Sequence, residues 1–276
     1  MKRHWLAVLA LLVTASAWGA TFVLVKSLIA RIAPEPFIFW RFTTAGVILL
    51  AVALARRRLT RAMIVPGMIL GAFVFAGYWA QTRGLMTISP SRSAFLTGLY
   101  VVLVPFFERD TGRKHVYKWI AAILAVIGTT LLIGDIKSAR IAIGDWLTLG
   151  CAVIFALHVV YSAKWSTRET STGLAAVQVL FVGVLAAPLA LIAKPTPWTP
   201  AIILAILFTA IVTTALAFAA LMWGQARVSA TEAAVILSFE PVAAAITSIA
   251  FYGEPLTAAF LVGALFILAA MVISQL

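Results

Sequence analysis

Ten apolar runs of about 20 residues, each bounded by charge, proline or glycine, follow one another along this 276-residue chain. They lie at 5–29, 36–55, 63–86, 91–107, 117–134, 145–165, 173–193, 200–224, 230–251 and 255–275. A helix rising 1.5 Å per residue needs roughly 20 apolar residues to cross the ~30 Å hydrocarbon core of a bilayer. The runs show almost no alternation, whereas strands of a transmembrane barrel would turn a polar side chain to the lumen at every second position. The expected fold is therefore all-α, an integral membrane protein of ten transmembrane helices. Composition agrees: with 63% apolar and 11% charged residues and a mean hydropathy of +1.08, there is too little polar surface to cover a water-soluble globule.

The net charge of +12 does not indicate a nucleic-acid partner, because the basic residues fall in short clusters between runs and leave no basic face interleaved with aromatics. They indicate orientation. Lys2, Arg3, Arg56, Arg57, Arg58, Arg61, Arg109, Arg113, Lys114, Lys118, Lys164, Arg168 and Arg227 collect on one side, while Arg31, Lys137, Arg140 and Lys194 fall on the other. Basic loops stay in the cytoplasm, which puts both termini there. The start, MKRHWLAVLALLVTASAWGA, has the basic and apolar regions of a signal peptide, but its apolar run continues to Ile29. That is spanning length, so an uncleaved first helix is expected. Cys151, the single cysteine, lies inside an apolar run and reads as a buried packing residue; no intramolecular disulfide or thiolate metal cluster follows from it.

Five spans in each half oblige the second half to cross the membrane in the opposite sense, giving an inverted repeat of residues 1–137 and 138–276. The correspondence is visible in the residues. FAALMWGQARVSATEAAVILSFEP from Phe218 follows YWAQTRGLMTISPSRSAFLTGLYV from Tyr78 at a shift of 140, and LVGALFILAAMVI from Leu261 follows IAAILAVIGTTLL from Ile120 at 141. Trp18 and Gly19 fall opposite Ala156 and Leu157 at 138, and Arg41 opposite Gln178 at 137.

Several segments carry a family resemblance: WGATFVLVK with Trp18-Gly19, the WRF of Trp40 to Phe42, SPSRSAFLTGLYVVLVP from Ser89, the Glu108-Arg109 pair, and SATEAAVILSFEPV from Ser229 with its YGEP exit. Together they resemble the EamA-type group of the drug/metabolite transporter superfamily over essentially the whole chain. Within the group the first half is most similar to amino-acid exporters of the YddG type. The resemblance implies a ten-helix inverted-repeat fold around a central cavity, moving a small metabolite across the inner membrane by alternating access.

Ionisable and aromatic side chains at membrane depth are the candidates for a substrate path, since lipid would reject them. Arg41 lies about six residues into its run, where its planar fork either pairs with a substrate carboxylate or snorkels to the interface. Glu240 lies about eleven residues in, roughly 16 Å at 1.5 Å per residue, next to Pro241. It either couples protons or serves backbone groups freed by the proline. Trp18, Trp40, Tyr78, Trp79, Tyr100, His158 and Tyr161 either line the cavity, stacking on substrate, or pack and anchor at interfaces. The repeat sets Tyr100 opposite Glu240, making it the strongest ring candidate, and sets Gln178 opposite Arg41 as a coupling or structural partner. Trp5, Trp119, Trp146 and Trp198 read as interface anchors. Lys26, Arg83 and Arg92 read as snorkelling side chains, with a basic rim as the alternative for the two arginines. Gly67 and Gly71, four apart, fit close helix packing.

HExxH, GxSxG and Gly-rich nucleotide loops are absent from the sequence, so no enzyme, cofactor or metal site is expected. Without a phosphate loop the chain does not itself hydrolyse ATP, and uphill transport would draw on a proton or counter-substrate gradient. The expected function is secondary export of amino acids, aromatic or other apolar ones favoured, or similar metabolites, by a monomer or weak homodimer. The alternatives are multidrug efflux, which needs Glu240 to face the cavity, and an intramembrane enzyme on lipid-linked substrates, which needs a polar catalytic cluster.

Overall fold

The computed structural model describes residues 2–108, 115–133, 142–252 and 257–273. The helices among them are α1 (Lys2–Ile29), α2 (Pro34–Ala55), α3 (Ile64–Gly84), α4 (Pro90–Gly98), α5 (Tyr100–Phe107), α6 (His115–Ile133), α7 (Ile143–Trp165), α8 (Ser171–Ile192), α9 (Pro200–Ala210), α10 (Ala217–Gln225), α11 (Ala230–Leu237), α12 (Glu240–Tyr252) and α13 (Ala258–Ile273). A 3₁₀ turn at Arg61–Met63 precedes α3, and a π-helical segment, Ile211–Leu216, joins α9 to α10. The described residues contain no strand. Arg109, Arg113, Lys114, Lys137, Arg140, most of the YGEP exit and the repeat boundary at 137/138 lie outside the described residues.

Eight helical stretches among the described residues are long and apolar enough to cross a membrane: His4–Ile29, Pro34–Ala55, Arg61–Gly84, Pro90–Phe107, Ile143–Trp165, Ser171–Ile192, Pro200–Gln225 and Ala230–Phe251. Two shorter apolar stretches, Val116–Gly128 in α6 and Leu261–Ala270 in α13, pack against each other. Polarity runs opposite to that of a water-soluble protein. Leu191 is 85% exposed and Phe251 79%, whereas Arg41, Gln178, Thr214 and Glu240 are buried. A bundle solvated by lipid hides its polar groups in this way.

Start signals are local. Ser89, Thr199 and Ser229 accept hydrogen bonds from the N–H groups of Arg92, Ile202 and Glu232, and Pro34, Pro90 and Pro200 open their helices where a missing N–H leaves no bond unmade. Two spans break in mid-course, at Leu99 between α4 and α5 and at Ser238–Phe239 between α11 and α12. Pro241 therefore does not sit inside a continuous helix, as the apolar run suggested; it is the second residue of α12, a position that tolerates proline.

The two halves of the chain interdigitate. α8 packs into the groove between α2 and α3, α7 packs on α3, and α12 and α10 pack on α1. Two seams depend on missing side chains. At the α2–α8 seam a Cβ on Gly46 would lie 2.5 Å from the Cα of Leu180, and one on Gly183 2.5 Å from Thr43 Oγ1. At the α1–α12 seam a Cβ on Gly19 would overlap the carbonyl oxygen of Glu240 and lie 2.7 Å from the Cβ of Ala243. Gly67 and Gly71 serve the packing expected of them, against Val177 and Gln178 of α8.

Candidate functional site

Two adjoining chambers lie within the bundle and share a wall of Trp18, Tyr78, Gln81 and Glu240. The first, about 450 Å³ of space between atoms, adds Tyr100, Phe155, His158 and Phe218 among its rings and Val74, Val159, Leu221 and Leu237 among its aliphatic groups. The second, about 360 Å³, adds Arg41, Thr21, Thr82, Phe22, Val25 and Leu85. Side chains crowd both chambers, so an amino-acid-sized solute enters only when lining groups move apart. Both helix breaks end here. Tyr100 opens α5 and Glu240 opens α12, so each broken span delivers its first residue after the break to the chamber.

The ring lining is a connected cluster centred on Phe218. Its centroid lies 5.5 Å from Trp18, 6.2 Å from Phe42, 6.3 Å from Tyr78 and 6.4 Å from His158. Tyr78 in turn meets Phe42 at 5.0 Å and Phe155 at 5.6 Å, mostly edge to face, which suits ring quadrupoles.

Arg41, 3% exposed, is held by the π-helical segment. Its Nε donates to Thr214 Oγ1 at 2.6 Å, and its Nη2 donates to Thr213 O and Thr213 Oγ1, both at 3.2 Å. The Thr213 carbonyl also accepts from Trp18 Nε1 at 2.8 Å. A π-turn displaces the helical bonding pattern, here beside a carbonyl that takes two side-chain donors. The guanidinium lies 5.1–5.7 Å from the centroids of Tyr78, Phe42 and Phe37. No acidic side chain among the described residues lies within ion-pair distance of it. Arg41 does not snorkel: it is a buried cation bordering the same chamber as a buried carboxyl, Glu240.

His158, in the chamber wall, has its Nε2 2.8 Å from Gln178 Oε1 and 3.3 Å from Ser162 Oγ, which lie behind it. Thus Trp18, Arg41, Tyr78, Tyr100, His158 and Glu240 are brought together, and Gln178 stands one layer behind. Trp79 and Tyr161 are elsewhere. Trp79 Nε1 donates to Glu35 Oε1 at 3.2 Å, and Tyr161 stacks on Phe73 at 5.9 Å beside a wider vestibule with Phe106, Glu108 and Lys164 on its wall. Trp40, 41% exposed, packs edge-on against Trp198.

The charges read as snorkelling have specific partners. Arg83 pairs with Glu35 at 2.6 Å, and Arg92 holds Asp145 through Nε at 2.6 Å and Nη2 at 2.9 Å. Lys26 Nζ donates to the carbonyls of Leu85 at 2.5 Å and Ile88 at 3.1 Å, closing the end of α3. Sequence reasoning missed Gln81, Phe155 and Phe218. For Phe218 a signal existed, since the shift of 140 sets it opposite Tyr78, the ring it meets. Among the described residues no group of three His, Cys, Asp or Glu side chains is placed to hold a metal ion.

The family model described as the EamA-like transporter family matches residues 5–134 and again residues 142–275. Over its whole length the chain is 32% identical to an uncharacterized transporter of Archaeoglobus fulgidus, covering 87% of that protein. A second uncharacterized transporter of the same organism is 22% identical over 91% of this chain and 89% of its own. A solved structure, titled only as a crystal structure of a protein, has a TM-score of 0.81 over 98% of this chain and 96% of that one. At 19% identity that likeness is one of fold.

Proposed function

Because the chain belongs to the EamA-like transporter family, we propose that this multi-pass membrane transporter, which is not an enzyme, exports amino acids with aromatic or other apolar side chains across the inner (plasma) membrane. The observation that carries this reading is the pairing of a buried cation and a buried carboxyl, Arg41 and Glu240, on one chamber that opens onto a cluster of rings. An α-amino acid has the complementary features: a carboxylate for Arg41, an ammonium for Glu240, and a side chain for the ring-lined space. The guanidinium offers a carboxylate a planar fork, and the rings offer stacking surface.

In this reading α6 and α13 are spans as well, giving ten helices in two inverted repeats, 1–137 and 138–276, with both termini cytoplasmic and the protein a monomer or weak homodimer. Support comes from the paired breaks at Leu99 and Ser238–Phe239, which bring Tyr100 and Glu240 to one chamber. Since α8 is seated between α2 and α3, the rocking bodies of an alternating-access cycle combine helices of both halves. Uphill export draws on a proton or counter-substrate gradient. Reconstituted vesicles loaded with labelled Phe, Met or Thr should show saturable flux of at least one of them; no saturable flux for any removes the amino-acid assignment.

Multidrug efflux is the second reading, favoured by Glu240 facing an aromatic chamber. It predicts strong competition by lipophilic cations, which the buried Arg41 would oppose.

A further inference from the structure

The leading helix of each broken span, α4 and α11, is tied at its start to the other half of the chain by one carboxylate. At one mouth, Glu108 at the end of α5 accepts from Ala230 N and Thr231 N, both at 3.0 Å, and from the Thr231 hydroxyl, so that it caps the start of α11. Lys118 Nζ lies 3.4 Å from the same carboxylate. At the opposite end of the α4–α5 span, Asp145 in the first turn of α7 holds Arg92 in the first turn of α4 through the fork described above, and also accepts from Ala142 N at 2.7 Å. Both ties join residues of one half to residues of the other.

The mechanical connection is short. α11 has eight residues before the break that leads to Glu240, and α4 has nine before the break that leads to Tyr100. Movement at either tie therefore reaches a chamber-lining residue through a single short rigid helix. Both ties are made in this structure, and the chambers between them are narrow. The vestibule beyond Glu108 has Ser229 and Ala230, the start of α11, in its wall.

Resting on the alternating-access reading above, we propose that Glu108 and Asp145 are opposed latches, one at each mouth, whose separate release decides which side of the membrane the chambers face. They are positioning residues that act through α11 and α4. The bonds each makes are of the charge-assisted kind, strong enough to hold a mouth closed yet few enough for one conformational step to break. Opening one mouth while the other stays tied is what an alternating cycle requires.

The test uses sidedness rather than flux. In the full chain with Cys151→Ala and Gln81→Cys, the one thiol borders both chambers, and a membrane-impermeant cationic methanethiosulfonate is applied to right-side-out and inside-out vesicles. Glu108→Gln should raise labelling from the Glu108 mouth and lower it from the other, changing the ratio of the two rates by about tenfold. Arg92→Gln should change the ratio in the opposite sense. Thr231→Val, which removes only the hydroxyl bond, should act like Glu108→Gln but more weakly, and Arg92→Lys like Arg92→Gln but more weakly, which keeps the test decisive if a stronger variant misfolds. A merely structural role moves both sets the same way, so equal-sense changes, or none, overturn the latches. If the unmodified latches already allow labelling from one side only under all conditions, alternating access falls and the latches fall with it.

Discussion

Replacing Gly19 by alanine adds one methyl group at the α1–α12 seam, and the structure fixes what it meets. The new Cβ would overlap the Glu240 carbonyl oxygen, with Ala243 Cβ at 2.7 Å and Ala244 N at 2.8 Å. Two of these atoms are backbone and cannot rotate away, so α1 and α12 must separate. Overpacking of this kind costs about 1–3 kcal/mol, and an obstruction by backbone belongs at the upper end. Helix propensity works the other way, favouring alanine over glycine by about 1 kcal/mol. The net expectation is a loss of about 2 kcal/mol. Gly150 is the control, because a Cβ there meets nothing within 4 Å and Gly150→Ala should gain up to about 1 kcal/mol. The two variants, compared by thermal unfolding in one detergent, should shift the midpoint in opposite directions. Moving the Glu240 backbone by about an ångström should also lower transport, by as much as 100-fold. A Gly19→Ala protein as stable as Gly150→Ala would refute the seam and, with it, the placement of Glu240 at the chamber.

Two further outcomes follow from burial. Glu240→Gln keeps the shape of the chamber wall and removes the ionisable group; if Glu240 couples protons, the pH dependence of transport in reconstituted vesicles disappears, and an unchanged pH profile returns Glu240 to a structural role. Cys151 is fully buried in α7, so a maleimide should leave it unlabelled in folded protein and label it after denaturation, and Cys151→Ala should transport normally; rapid labelling of the folded protein would show that α7 is packed otherwise.

Eight of the spans were legible because their lengths are set by the bilayer and their composition by lipid. Which face of each span points inward was not, because an apolar helix in lipid has no polar outer face to mark the inner one. That is why position alone does not separate Trp79 and Tyr161 from Tyr78 and His158 in the same helices, although the structure turns them elsewhere. The depth of Arg41 and Glu240 was readable from position alone. Their partners were not: the π-helical segment that holds Arg41 has no sequence signature, and Thr213 and Thr214 read as ordinary residues of an apolar run. Proline gave half an answer. Pro241 marked an irregularity in its span, but only the structure shows that the break precedes Glu240 and that the proline is the second residue of a new helix. The ion pairs of Arg83 and Arg92 escaped for a similar reason, since Glu35 and Asp145 lie near predicted helix ends, where charges usually face water.

If the chamber bordered by Arg41 and Glu240 receives the substrate's charged groups, removing the cation should weaken transport of a carboxylate-bearing substrate. The most direct test is flux of labelled phenylalanine into proteoliposomes by the parent protein and by Arg41→Gln, with the membrane-inserted amount of each matched. Loss of a charge-assisted pair with the substrate carboxylate predicts a fall in kcat/KM of roughly 10- to 100-fold, with phenethylamine, which has no carboxylate, a poor competitor of the parent protein. Equal phenylalanine flux in both proteins, or phenethylamine competing as well as phenylalanine, would contradict it.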